Sequence, residues 1–97
     1  MAFGIVHKFK GGTKAQFDEV LKRAHPDNGK GMPPGLTHLA AGPANNDFVV
    51  TAVWNSKQDF ENFAQNSLGP ALADAGDKGF QGPPEQMEFD VHVEQKA

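Results

Sequence analysis

A chain of 97 residues has room for one domain, taken here as 1–97, and its 38% apolar and 22% charged side chains suit a packed core rather than disorder. Nine basic against twelve acidic residues leave a net charge of −3, which disfavours a nucleic-acid or anionic-membrane surface. Without cysteine there is no disulfide, thiolate nucleophile or Cys-ligated metal, and without tyrosine there is no phenol to act as acid, base or radical.

The opening residues lack the basic stretch and apolar run of a leader, and the longest apolar segment, Phe48 to Trp54, is far short of the ~20 residues that cross a bilayer. A cytoplasmic location is expected. Phe3, Ile5, His7 and Phe9 alternate with Gly4, Val6 and Lys8, the period of a strand, which Gly11-Gly12 ends. Thr13 and Gln16 form a capping box, and Phe17, Val20, Leu21 and Ala24 follow on one helical stripe. His25-Pro26 closes that helix, and its imidazole, at a helix C-terminus, is expected to favour the protonated form.

Residues 26–35 hold six Gly or Pro and form a loop. A short strand is expected over 36–41, a turn over 42–47, and the strongest strand over 48–54, the two strands pairing as a hairpin. Ser56 caps a second helix with Phe60, Phe63, Ala64 and Leu68 on one face. Residues 70–75 read as a separate helical turn stopped by Gly76. After a Gly/Pro loop over 79–84, residues 86–94 alternate Met87, Phe89, Val91 and Val93 with Glu88, Asp90, His92 and Glu94, a strand with one dry and one wet face.

The order βαββαβ is that of an α+β, ferredoxin-like plait: a four-stranded antiparallel sheet, strand order 4-1-3-2, with helices on one face. The first and third strands are apolar on both sides, Ile5 against Val6 and Val50 against Val49 and Val53, so the helices leave one apolar face uncovered. The expected solution is a homodimer, two sheets meeting face to face as an α/β barrel.

Three segments carry a resemblance: Ile5-Val-His-Lys-Phe9, Gly35-Leu-Thr-His-Leu-Ala-Ala-Gly42 and Val53-Trp-Asn-Ser-Lys-Gln-Asp-Phe60. With them the chain resembles the dimeric α/β-barrel proteins, and among them the antibiotic-biosynthesis-monooxygenase-like family. Leu68-Gly-Pro-Ala-Leu72 and Gly82-Pro-Pro84 are similar to small actinobacterial-type members. The resemblance implies a homodimeric barrel whose cavity Trp54 faces, and cofactor-independent monooxygenase or isomerase chemistry. His7 falls close to a first-strand asparagine of haem-degrading members, but the axial histidine those members carry on the second helical region has no counterpart over 60–75. Haem degradation is therefore disfavoured, and no cofactor is expected. The tyrosine and arginine that related monooxygenases place near substrate are also missing: there is no tyrosine, and Arg23 sits on the first helix.

Among the residues themselves, His7 and His38 are the candidate general bases, since a neutral imidazole in a half-apolar cavity can take a phenolic or α-carbonyl proton. Strand order keeps the two apart, with the third strand between them. Trp54, with Ile5, Phe9 and Val50, is the candidate wall for a planar ligand, bordering one concavity with its mouth at the loops 26–35 and 79–84. That concavity is expected on the side away from the helices. His92 with its neighbouring carboxylates reads as a solvated, edge-protecting face, and no metal site is expected. Two functions stay open: an enzyme acting on a planar aromatic or enolisable compound, or a non-catalytic dimeric ligand-binding or accessory protein whose eight phenylalanines and three methionines fill the barrel core.

Overall fold

The computed structural model describes residues 2–95. Strands β1 (Phe3–Lys10), β2 (Leu36–Ala44), β3 (Asp47–Trp54) and β4 (Glu85–Asp90) form one antiparallel sheet in the order β2-β3-β1-β4. This is the ferredoxin-like plait the element order implies. In the central pair Phe3 lies opposite Trp54, His7 opposite Val50 and Lys10 opposite Asp47.

The β2–β3 turn is tighter than expected. Gly42, Pro43 and Ala44 belong to β2, and Asn45 and Asn46 alone make the turn, at φ 49° and 69°. Positive φ at both positions matches the twist of a two-residue hairpin, and asparagine tolerates it. Pro43 fits because β2 is an edge strand, where a missing N–H disrupts little. β4 ends at Asp90 instead of reaching residue 94. Asp90 already faces Phe3, the first residue of β1, and only Val91 N–H finds a further acceptor, the Ala2 carbonyl at 3.0 Å.

Helix α1 (Lys14–Ala24) starts on the capping box: Gln16 N–H donates to Thr13 Oγ1 at 3.2 Å and Thr13 N–H to Gln16 Oε1 at 3.0 Å. Helix α2 (Lys57–Phe63) starts on Ser56, whose hydroxyl accepts from Asp59 N–H at 3.2 Å. The helical turn expected as a separate piece is instead continuous with α2. A single π-turn, Ala64–Leu68, leads directly into α3 (Gly69–Ala75). The wide turn accommodates Pro70, which has no N–H for an i−4 carbonyl. Gly76, at φ 52°, ends the run.

Both helical arms lie on one face of the sheet. Val20 and Ala24 of α1 pack on Ala71 and Ala75 of α3, while Phe3, Ile5, Leu36 and Trp54 form a second buried group with Phe60. Phe63 touches both groups. On the other face Met87, 66% exposed, and Phe89, 46% exposed, leave the dry side of β4 in the open. The Phe89 ring lies over Gly4, where a Cβ would come within 2.2 Å of it.

The hairpin turn gives a direct check. Asn46→Val places a β-branched side chain at φ 69° and is expected to cost about 1–2 kcal/mol in urea denaturation, whereas Asn46→Gly is expected to be neutral or stabilising.

Candidate functional site

The helices do not settle onto the sheet along its whole length. Between them lies a cavity of about 350 Å³, within the range of small-molecule sites, and almost all its lining is apolar. Its floor is the inward row of the central strands: Ile5, His7 and Phe9 from β1, and Val50, Ala52 and Trp54 from β3. Val20 and Ala24 of α1 with His25 at its end, and Phe63 at the end of α2 with Leu68 and Leu72 beyond it, make the roof. The cavity therefore lies beneath the helices, not on the open face where it was expected. Five of the chain's eight phenylalanines line this space without filling it.

The structure brings His7 and Trp54 to one face, together with Ile5, Phe9 and Val50. They stand at opposite ends of the floor: Trp54 is four residues along β3 from Val50, the partner of His7, or about 13 Å. Phe60 spans the gap, with ring centroids 6.0 Å from His7 and 5.8 Å from Trp54. Of the two Gly/Pro loops expected at the mouth, the second contributes Phe80 and Pro84, and the Phe80 ring stacks on Phe9 at 3.7 Å. No side chain of residues 26–35 lines the cavity.

His38 is not brought there. A β-bulge between Leu36 and His38 shifts the register, so Leu36 pairs with Trp54 but His38 pairs with Val53. Leu36 and Leu39 line the cavity, and His38 turns to the opposite face. Thr37, within the bulge, ties itself down by donating from its hydroxyl to the Val53 carbonyl at 3.0 Å. His38 Nε2 sits 2.5 Å from Glu94 Oε2, close but without the alignment of a hydrogen bond. The candidate base on β2 thus lies outside the cavity, half-buried on the helix-free side of the sheet. His92 follows the end of β4. Arg23 is engaged away from the site, bridging Glu19 at 2.6 Å and Asp74 of α3 at 2.9 Å.

Two side chains on the cavity wall, His25 and Gln86, were not among the expected site residues. His25 continues the α1 stripe at i+8 from Phe17, which is the signal that places it. Its Nδ1 lies 3.2 Å from the Gly31 carbonyl, and the residue is only 9% exposed. Burial lowers its pKa below the ordinary histidine range, with the Gly31 hydrogen bond opposing. The expectation of a protonated imidazole therefore fails. A helix terminus favours charge by up to ~1 kcal/mol where water reaches it, and here loss of hydration is larger.

Burial also lowers the pKa of His7, against the Gln86 side chain and the Glu88 charge, which both act to raise it. The cavity thus holds two neutral imidazoles at neutral pH. Trp54 is 2% exposed, and its indole N–H has no acceptor among the described residues. A buried donor left unpaired costs about 1–3 kcal/mol, and this N–H has almost no surface that water can reach, so the rest of the fold offsets that cost.

No protein-family model matches the sequence, and no curated protein matches it. Solved structures do. A protein from Chloroflexus aurantiacus assigned to the antibiotic biosynthesis monooxygenases is 19% identical, covers 100% of this chain with 98% of its own, and superposes with a TM-score of 0.69. SnoaB, a cofactor-independent oxygenase from Streptomyces nogalater, is 22% identical over 96% of this chain and 95% of its own, with a TM-score of 0.66. The ActVA-Orf6 monooxygenase of Streptomyces coelicolor, solved with nanaomycin D, is 18% identical over 99% and 92%, with a TM-score of 0.64. The chain has the fold of the antibiotic-biosynthesis-monooxygenase-like proteins, over its whole length.

The two depressed histidines carry a stability signature. An unfolded histidine titrates near pH 6.5, so below that pH the unfolded chain binds protons that the folded chain refuses. Stability is therefore full above about pH 6.5 and falls as pH drops through the lower folded values. Melting temperatures from pH 7.5 to 5 should decline, and His25→Asn should flatten the slope.

Proposed function

We infer that this protein is a member of the antibiotic-biosynthesis-monooxygenase-like family that takes a planar aromatic or enolisable compound into the cavity beneath its helices. One observation carries the reading: an apolar cavity bordered at once by a neutral imidazole, His7, and by the indole of Trp54, with Phe60 between them. The apolar floor suits a flat ring, with Ile5, Phe9 and Val50 beneath it. His7 is the base. It takes a phenolic or α-carbonyl proton, leaving a phenolate or enolate in a dry site, and such a step contributes typically 10²–10⁴ in rate. Return of the proton to another atom gives an isomer; reaction of the anion with dioxygen gives an oxygenated product.

The chemistry needs no cofactor for proton transfer, and the cavity is lined by carbon rather than by charged side chains. An accessory protein with a filled core is the weaker reading, because the cavity is open. Among the described residues no helix is long and apolar enough to cross a membrane. Our reading is of a cytoplasmic, one-domain protein.

The assembly belongs to the same reading. The helix-free face carries Val6, Val49, Val53, Met87 and Phe89, and a second copy of the chain covers it, giving a homodimer.

Tryptophan fluorescence tests the site, because Trp54 is the only indole. Naphthol or naphthoquinone should quench it at micromolar to millimolar concentration. His7→Ala should lower turnover, followed by oxygen uptake or product absorbance, by at least tenfold with little change in affinity, whereas Trp54→Ala should weaken binding first. A titration without quenching overturns the reading. Light scattering should give about twice the 10.4 kDa chain mass, and Phe89→Glu should shift it towards one chain. A monodisperse monomer removes the dimer.

A further inference from the structure

The end of α1 holds a polar group that the proposed chemistry leaves unused. Residues 25–31 fold back on themselves: Gly29 N–H donates to the His25 carbonyl at 3.3 Å and Gly31 N–H to the Pro26 carbonyl at 2.8 Å. The loop thereby delivers the Gly31 carbonyl to His25 Nδ1 at 3.2 Å. A carbonyl oxygen only accepts, so Nδ1 must carry the ring proton. Burial keeps the ring neutral. In a neutral ring with a protonated Nδ1, Nε2 holds a lone pair and nothing else. No described residue donates to it, although His25 borders the cavity.

The ring is also fixed in orientation. Phe63 meets it edge-on, with centroids 5.6 Å apart and planes at 82°, and the same Phe63 packs against Trp54 at 5.1 Å. His25 therefore borders the cavity near Trp54, while His7 lies at the other end of the floor. An apolar site with one unpaired acceptor discriminates between ligands, because a compound without a matching donor leaves that acceptor unsatisfied once it displaces water.

We propose that His25 Nε2 is the hydroxyl-recognising acceptor of this cavity, so that the bound compound is a hydroxyarene donating its O–H there, with the tautomer held by the Gly31 carbonyl. His25 positions the ligand through this hydroxyl, which keeps its proton; the proton removed in the reaction comes from a second acidic position of the compound and goes to His7. The proposal rests on the reading of the cavity as a site for planar compounds.

The test uses naphthol and its methyl ether, followed by Trp54 quenching, on the wild-type chain and on His25→Asn. Asparagine keeps an N–H donor where Nδ1 stood and loses the Nε2 acceptor. The wild type should bind naphthol about tenfold more tightly than the ether, the worth of one satisfied hydrogen bond. His25→Asn should melt close to the wild type and bind the two compounds equally. Nitrogen NMR of the wild-type imidazole provides a second measurement that needs no variant: a protonated Nδ1 in the free protein, and an Nε2 resonance that moves when naphthol but not the ether is added. Quenching with equal affinities in the wild type, a selectivity that survives His25→Asn, or a proton on Nε2 in the free protein overturns this inference and leaves the cavity reading standing. Failure of both compounds to quench overturns both.

Discussion

The height of the helices above the sheet is set by one aromatic contact group. Trp54, at the end of β3, meets Phe60 of α2 edge-on at 5.8 Å and Phe63 at 5.1 Å, and Phe60 in turn rests on Phe3 at 5.8 Å. These four rings hold the α2 end of the helical layer off the sheet. The helices then touch each other through alanines, Ala24 against Ala71 and Ala75, which draw the two arms together without filling the volume below. Large side chains between layers and small ones within the helical layer leave a cavity as the geometric remainder. Phe80, stacked on Phe9, closes its far end. Without the Trp54 group the helices would sink and the space beneath them would collapse.

The same pleat that builds the floor also divides the protein's two surfaces. On β1, Ile5 and His7 point to the helices, while Gly4 and Val6 point away. On β4 the alternation puts Gln86 and Glu88 on the helix side and Met87 and Phe89 on the open side. Glu88 is paired with Lys57 of α2 at 3.2 Å, so the wet face of β4 serves as the rim of the helical layer. The dry face is left for another surface to cover. The two faces thus have different duties, and a residue's parity along its strand decides which one it serves.

That parity is why the fold could be read from the chain and the site only in part. Alternation at Phe3, Ile5, His7 and Phe9, and the caps at Thr13 and Ser56, are local signals that survive folding, so element order, strand order and the shared face of His7 and Trp54 were all legible. The bulge at Thr37 was not. One extra residue in β2 moves His38 to the other side of the sheet, and the nearest glycine, Gly35, reads as the end of the preceding loop rather than as an insertion within the strand. The side on which the cavity lies was hidden as well, since it depends on how high aromatic residues from distant elements lift the helices. Pro70 suggested a break between two helical pieces; the π-turn before it absorbs the proline instead.

His25 shows how a correct local rule can mislead. Its position at a helix C-terminus is the one in which a positive imidazole gains from the macrodipole, yet the gain presupposes contact with water. Here Pro26 and the folded-back loop close over the ring, and the carbonyl that meets it, from Gly31, comes from six residues further on. The loop residues contribute no side chain to the cavity wall, and their part in the site is played by that single backbone oxygen. Fixing the tautomer of a neutral ring makes its second nitrogen a directed acceptor, a property that neither the helix nor the loop possesses alone. The chain therefore carries two histidines drawn towards the neutral form on one apolar cavity, His7 in its floor and His25 in its roof. They differ in what acts on the ring: His7 faces polar Gln86 and the Glu88 charge, which draw its pKa back up, while His25 meets only a carbonyl and carbon. Burial pulls both rings towards the neutral form, opposed at His7 by a neighbouring amide and a carboxylate and at His25 by a backbone carbonyl alone.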